Sequence, residues 1–503
     1  MQSLFSALSG IFGGESSESA SASDTSSAPG TPRSPRTSRD IALEGLLDID
    51  GKETLDLGGE ELDDGSAIQL EKLLASENSL RSLMLGGCKT TERGIKCISY
   101  GISSKTCQLH TLNLAGCGIT DEGVKVLAKS LLGNTTITFL DLSYNQVGNL
   151  GAAAIAHSTN ESSALQTLNL WDNKVGDIGV RELAMLLFEN SSLTSLDLGR
   201  NSVANAGAAE LGAALRVNST MRVLTMKDNY IDKEGALMLA GMLKYNSTLE
   251  QLNIGANIVG DEGAIPLMEG CLVNSGLQHV NISGNKVGDK SMALVADVVA
   301  NNQNLISLDL HSNKIGDASV GKIAAALATN HKLSNLDLAS NLLNDPGGVD
   351  LAEALMKNSH VTFLNLSWNN LGDVAVGALA KMLETNTTLT ELNLRGNQMT
   401  DEGARLLSVA LRFNTTLATL NLWGNRLADD GQRHLAGLLR TNVTLTTLNL
   451  SWQKSGQSQA EYVVWPPDLA PKAYLGNIDP AAVPHSRKFK DPGVDGPRAM
   501  LRR

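Results

Sequence analysis

From residue 109 onward the chain repeats itself every 28 residues without slippage. The series Leu109, Leu112, Leu114, Cys117 and Ile119 returns as Ile137, Leu140, Leu142, Asn145 and Val147, then as Leu165, Leu168, Leu170, Asn173 and Val175. Further copies begin at 193, 221, 249, 277, 305, 333, 361, 389, 417 and 445. One copy precedes them at Leu80, a residue longer, and a degraded one surrounds Leu55 and Leu57, giving 14 units and one expected cap. A fixed period leaves few folds open, because a unit this small cannot bury its own apolar face and must stack on its neighbours. The length of 503 residues would otherwise suggest several domains, but a solenoid grows by adding units rather than by enlarging a core.

The segment 389–416 shows what each position does. Leu392 and Leu394 alternate with Glu391 and Asn393, so one face of a short strand is apolar. Asn397 ends the strand, where its side chain satisfies backbone groups of the turn and stacks on its counterparts. Asp401 is expected to cap the helix that follows, with Glu402 at its positive end. Ala404, Leu407, Ala410 and Leu411 recur at helical spacing and face the strand. Asn414 is expected to close the helix in a left-handed conformation. Parallel strands stack ~4.8 Å apart and packed helices ~8–10 Å apart, so the helix layer must fan outward and curve the stack. The expected fold is an α/β, right-handed β-α solenoid, with parallel strands on the concave face and helices on the convex face.

The motif LxxLxLxxN, followed by an aliphatic residue, GDxGA, LAxxL and N-[ST]-[ST], resembles the leucine-rich repeats of the ribonuclease-inhibitor type. Such repeats also occur in the C-terminal regions of NOD-like receptors and in Ran GTPase-activating proteins. The resemblance covers residues 80–452. Cys88 and Cys117 occupy the Asn slot, a replacement the general pattern allows; their adjacency leaves a redox pair as an alternative. Residues 1–39 are then a disordered Ser/Pro-rich segment, 40–79 an N-terminal cap, and 453–503 a Pro-rich basic tail that partly covers the last unit through Val463, Val464 and Trp465.

The net charge of −12 is unevenly spread, with residues 40–452 carrying −15. Residues 1–39 balance three arginines against Glu15, Glu18 and Asp24, and 453–503 carry eight Lys or Arg against five acids. An acidic body repels phosphate backbones, so no nucleic acid is expected as a partner. No run of 18 apolar residues occurs and no membrane span is expected. Five cysteines without CxxC spacing support neither a disulfide framework nor a zinc site. The opening MQSLFSALSGIFGG lacks the pattern of a secretory signal, which places the expected location in the cytoplasm or the nucleus. Leu4, Phe5, Leu8, Ile11 and Phe12 would share one helix face, which suits a short docking helix or a weak membrane-surface contact. Thr31 and Ser34, each followed by Pro, are candidate kinase sites, and HSRKFK near the end reads as a solvated charge run. The Asn sequons at 134, 190, 218, 246, 386, 414 and 442 fall at one helix-ending slot, where a backbone role is expected instead of glycosylation.

No catalytic constellation is present. GGCKTT (86–91) lacks the first glycine of a phosphate-binding loop, and no His stands at triad spacing to a Ser or Cys; His311 alone projects from a concave slot. No enzyme activity, cofactor or metal is expected. The slot between the strand leucines is Asn or Asp in 12 of 14 units, which suits a ladder bonded between neighbours. The two slots after the strand vary. Tyr144, Trp171, Arg200, Lys227 and Asp228 fall on successive units and form one patch; Trp368, Arg395, Trp423 and Trp452 form another, with Gly255, Ala256, Ser283, Gly284, Ala339 and Ser340 between them. Trp, Tyr and Arg are the usual anchors of binding hot spots. The expected function is a non-enzymatic scaffold that binds a protein partner on the concave surface. The resemblance implies two alternatives. One is GTPase activation on a Ran-like GTPase, for which Arg200 is the one candidate arginine although the acidic tail of that family is replaced by a basic one. The other is NOD-like-receptor-type sensing, whose nucleotide-binding module has no room before the repeats.

Overall fold

A computed structural model describes residues 51–159 and 164–450. The N-terminal segment with Thr31 and Ser34, the basic tail with Val463, Val464 and Trp465, and Trp452 lie outside the described residues. Fifteen parallel strands form one open sheet in strict chain order, from Thr54–Asp56 and Ser82–Met84 through to Thr447–Asn449. Among the described residues fourteen helices alternate with them, from Asp64–Leu74 to Asp429–Leu438, and each packs on its neighbours in the series. A two-stranded pairing of Glu61–Leu62 with Lys89–Thr90 ties the first unit to the second.

Register follows from the period. Leu112, Leu140 and Leu168 are direct strand partners, fully buried, and the series runs through Leu448. The helices bury the facing stripe; in Asp177–Leu187 these residues are Gly179, Val180, Leu183, Ala184, Leu186 and Leu187. Gly179 is required by close approach, since a Cβ there would lie 2.9 Å from Val175 Cγ1 and 3.1 Å from Ala152 Cβ.

Three sets of side chains carry the repeat, and all three work between units. Asn173 donates from Nδ2 to its own turn at Leu170 O (3.1 Å) and to Leu142 O of the preceding unit (2.9 Å), while its Oδ1 accepts from Val147 N (2.9 Å) of that unit. Asn218, at the helix-ending slot, donates to Leu187 O one unit back (2.8 Å) and accepts from Thr220 N and Met221 N. The sequon asparagines 190, 246, 386, 414 and 442 repeat this pattern and are buried, so their amides are committed to the backbone. The third set corrects an expectation. Asp401 is the first residue of its helix and Thr400 is the N-cap; the Asp401 carboxylate accepts from Ala428 N of the following unit (2.7 Å). Asp121, Asp177, Asp345 and Asp373 likewise hold the next helix start, Asp177 through Ala204 N and Gly207 N. These units cap their successors, so cap energy of about 1 kcal/mol resides in their interfaces.

Candidate functional site: the concave slots

The Asn or Asp at the third strand position forms a local turn instead of the expected ladder. Its Oδ1 accepts the N–H two residues on, as in Trp171 N to Asn169 (2.9 Å), Arg395 N to Asn393 (3.0 Å) and Trp423 N to Asn421 (3.1 Å). The carboxylate or carboxamide thereby sets the direction of the first variable slot. Bonds between neighbouring units occur where Asn281 donates to Asp309 (2.8 Å) and Asn365 to Asp337 (2.9 Å).

The second variable slot is conformationally special. Its residues have positive φ: Tyr144 (55°), Asp172 (51°), Arg200 (50°), Asp228 (57°), Ala256 (52°), Ser312 (54°), Ser340 (52°) and Trp368 (55°), with Gly116, Gly284, Gly396 and Gly424 in the same place. The left-handed residue of the unit is therefore the one before the ladder Asn, and Asn414 is absent from that set. A side chain in this region costs roughly 1 kcal/mol relative to Gly. Trp171, Lys227, Arg395 and Trp423 occupy the first slot, while Tyr144, Arg200 and Trp368 occupy the strained one. The frame accepts glycine where Trp368 stands, so packing of the repeat does not call for the ring.

In the second patch Arg395 lies between two half-buried indoles, its Cζ 4.0 Å from the Trp423 ring and 5.2 Å from the Trp368 ring. The two rings meet edge to face with centroids 5.9 Å apart. Trp368 covers Gly396, whose missing side chain leaves room for the ring. Such contacts contribute about 0.5–1.5 kcal/mol each and lock the rings in place. The first patch is looser. Trp171 lies over Gly199, which leaves no room for a Cβ there. Arg200 bridges Asp172 (3.2 Å) and Asp228 (4.0 Å) on the units before and after it. Tyr144 is 58% exposed at the edge, and Lys227 is half-buried. The structure thus brings Trp368, Arg395 and Trp423 into mutual contact and joins Trp171, Arg200 and their neighbours in a chain of pairs.

Burial controls the electrostatics of this face. It pushes the Asp197 carboxyl up to about 7, against the Gly199 N–H bond, with the charge of Asp141 adding to the rise. Burial also raises Asp141, and burial together with Asp309 raises Asp337 to about 6. On the helix side, Phe188, Val217 and Tyr245 are exposed apolar residues on neighbouring units, with Arg216 4.4 Å over the Tyr245 ring; the 28-residue pattern gave no reason to single them out.

All five cysteines are free and buried. Cys88 and Cys117 take the ladder role, donating from Sγ to Leu57 O (2.9 Å) and Leu85 O (3.0 Å). Burial, the largest cause, raises Cys97 to about 11 and Cys117 and Cys271 to about 12, and moves Cys88 and Cys107 upward, so the thiols stay protonated at neutral pH. An iodoacetamide probe is expected to leave the native chain unlabelled under conditions that fully label the denatured one. Rapid native labelling at Cys88 or Cys117 would restore the redox alternative.

The family model described as "Leucine Rich repeat" matches nine segments: 107–128, 133–156, 161–184, 189–212, 245–268, 273–296, 301–324, 357–380 and 385–408. The chain is a leucine-rich-repeat protein. Its leucine-rich repeats are similar to human NACHT, LRR and PYD domains-containing protein 5, at 29% identity over 91 residues, 18% of this chain and only 8% of that much longer relative. Among solved structures, an internalin from Listeria monocytogenes is 19% identical with a TM-score of 0.40, covering 69% of this chain and 87% of its own. Actin-binding site 2 of leiomodin-1 is 32% identical with a TM-score of 0.21, over 22% of this chain and 66% of that one. Among the described residues, no helix of the leucine-rich-repeat body is long and apolar enough to cross a membrane.

Proposed function

We propose that this protein is a non-enzymatic scaffold whose concave leucine-rich-repeat surface binds a protein partner, with Trp368, Arg395 and Trp423 as the principal anchor and Tyr144, Trp171, Arg200 and Lys227 as a second contact region. One observation carries this reading: Trp368 holds a large ring at positive φ in a slot where the next two units have glycine. A ring kept where the backbone favours none, half-exposed and pre-ordered by Arg395, has the features of an interface hot spot. Pre-ordering lowers the entropy cost of capture. Trp452, three units beyond Trp368, falls in the same slot as Trp368 in the sequence.

The experiment combines proximity labelling by the full chain with titration of the partner so identified. Trp368→Ala with Trp423→Ala is expected to lower the melting temperature by only a few °C, because the rings lie on the sheet and outside its core, and to weaken the partner at least a hundredfold. Unchanged affinity in the folded double variant would end this assignment. GTPase activation draws no support from Arg200, whose guanidinium is engaged by Asp172 and Asp228; stimulated GTP hydrolysis by Ran in the presence of the chain would reverse that judgement.

A further inference from the structure

Between the two patches the polar series changes character. From Asn113 to Asn449, each Asp at the third strand position has Asn or Thr on both sides, with one exception: Asp309 and Asp337 are direct partners on adjacent strands. Two carboxylates one strand apart repel unless a proton or a cation lies between them. His311 stands two residues after Asp309, with Nδ1 2.7 Å from Asp309 Oδ1. One ring nitrogen and one oxygen from each aspartate all lie within 4.8 Å of one another, and all three side chains are half-buried.

The surroundings orient this group. Asn281 donates to Asp309 Oδ2 (2.8 Å) and Asn365 to Asp337 Oδ2 (2.9 Å), while the N–H groups of His311 and Ala339 bond the Oδ1 atoms (3.0 and 2.8 Å). Both carboxylates are therefore fixed from outside by donors that leave lone pairs toward the imidazole, in the manner of the outer shell of a metal site. The neighbouring slots hold Ser283, Gly284, Ala339 and Ser340, none long enough to cover the group from the concave side.

We propose that Asp309, His311 and Asp337 form a binding site for a divalent transition metal of the zinc class, with an open position toward the concave space. One imidazole nitrogen with two carboxylate oxygens is a borderline donor set. It disfavours magnesium and calcium, which take oxygen alone, and copper(I), which prefers sulfur. Ligand distances of ~2.0–2.2 Å put donor atoms ~3–4 Å apart, so binding needs only small side-chain rotations. The three ligands leave at least one position for water or a partner's carboxylate or imidazole. The site stands independently of the partner-binding reading.

The test is calorimetric titration of the chelator-treated full chain with Zn²⁺ at neutral pH, using circular dichroism to confirm the fold of each variant. One ion per chain is expected to bind. Asp337→Asn should weaken it at least tenfold, and the fold should persist because the next unit carries Asn365 in that slot. His311→Ala should remove it. His331→Ala is the control, since the His331 and His360 rings lie 5.1 Å apart and offer a competing pair; it should leave the affinity unchanged. Absence of binding would overturn the proposal. Binding that survives His311→Ala and Asp337→Asn, or is abolished by His331→Ala, would overturn it equally.

Discussion

Asn397→Ala is expected to destabilise the chain by about 2–5 kcal/mol, although it deletes only a carboxamide. Asn397 is fully buried; its Nδ2 donates to Leu366 O and Leu394 O (3.0 Å each) and its Oδ1 accepts from Leu371 N (3.0 Å). Alanine strands the Leu371 N–H and the Leu366 carbonyl in an interior without water, and each lost partner costs roughly 1–3 kcal/mol. Since both stranded groups belong to the preceding unit, damage at residue 397 should appear one unit upstream. Fast hydrogen exchange at the Leu371 amide, with a lowered denaturant midpoint, would show it. Asn397→Cys should fall between the two, because a thiol keeps a donor, as Cys117 does, and loses the acceptor. A loss below 1 kcal/mol for the alanine variant would mean that the slot is a spacer and not a joint.

The second large effect concerns pH. Asp197 is 3% exposed, and burial pushes its carboxyl up to about 7 from an ordinary 3.8, with only partial relief from the Gly199 N–H and Lys227. A carboxyl that holds its proton more tightly when folded contributes stability below pH 3.8. That contribution is lost as pH rises through the interval from 3.8 to about 7, because the folded state then carries the extra proton. Above that interval the folded chain bears the full cost of a buried charge, about 4 kcal/mol by linkage. Asp197→Asn should remove that cost, since Asn169 fills this slot in the preceding unit and accepts the same N–H bond. The variant should therefore be more stable at pH 8, with the gain shrinking toward zero near pH 4. Denaturation midpoints at both pH values decide the matter, and an equal shift at the two would refute the assignment.

These cases also show where sequence reasoning succeeds and where it stops. Leu168, Leu170 and Asn173 were legible because period two within a strand and period 28 between strands leave one register that buries every leucine. The direction of the Asp401 bond was not. In an uninterrupted repeat, the helix an aspartate begins and the helix one unit later have the same letters, so a cap within the unit and a cap across the joint look alike. The left-handed slot had left a trace, since Gly116, Gly284, Gly396 and Gly424 all precede the Asn or Cys of their unit. That trace was masked by reading the two slots as equally free, which placed Trp171 and Trp368 in one class although only Trp368 carries backbone strain. The aspartate pair at 309 and 337 was equally visible as a break in the Asn, Asp and Thr series, yet metal-ligand spacing rules look for short intervals and pass over ligands 28 residues apart.

Bonds from Asp to the next helix and from Asn to the previous turn make most joints alike, those at Lys233, Cys88 and Cys117 excepted. Between two like joints a whole interior unit is expected to be removable or duplicable, since the flanking units would meet the same donors and acceptors. What changes is the distance between Trp171 and Trp368, in steps of about 4.8 Å per unit. The chain is in that sense a ruler with adjustable marks, and the number of units between its two aromatic marks sets the size of the object it can span.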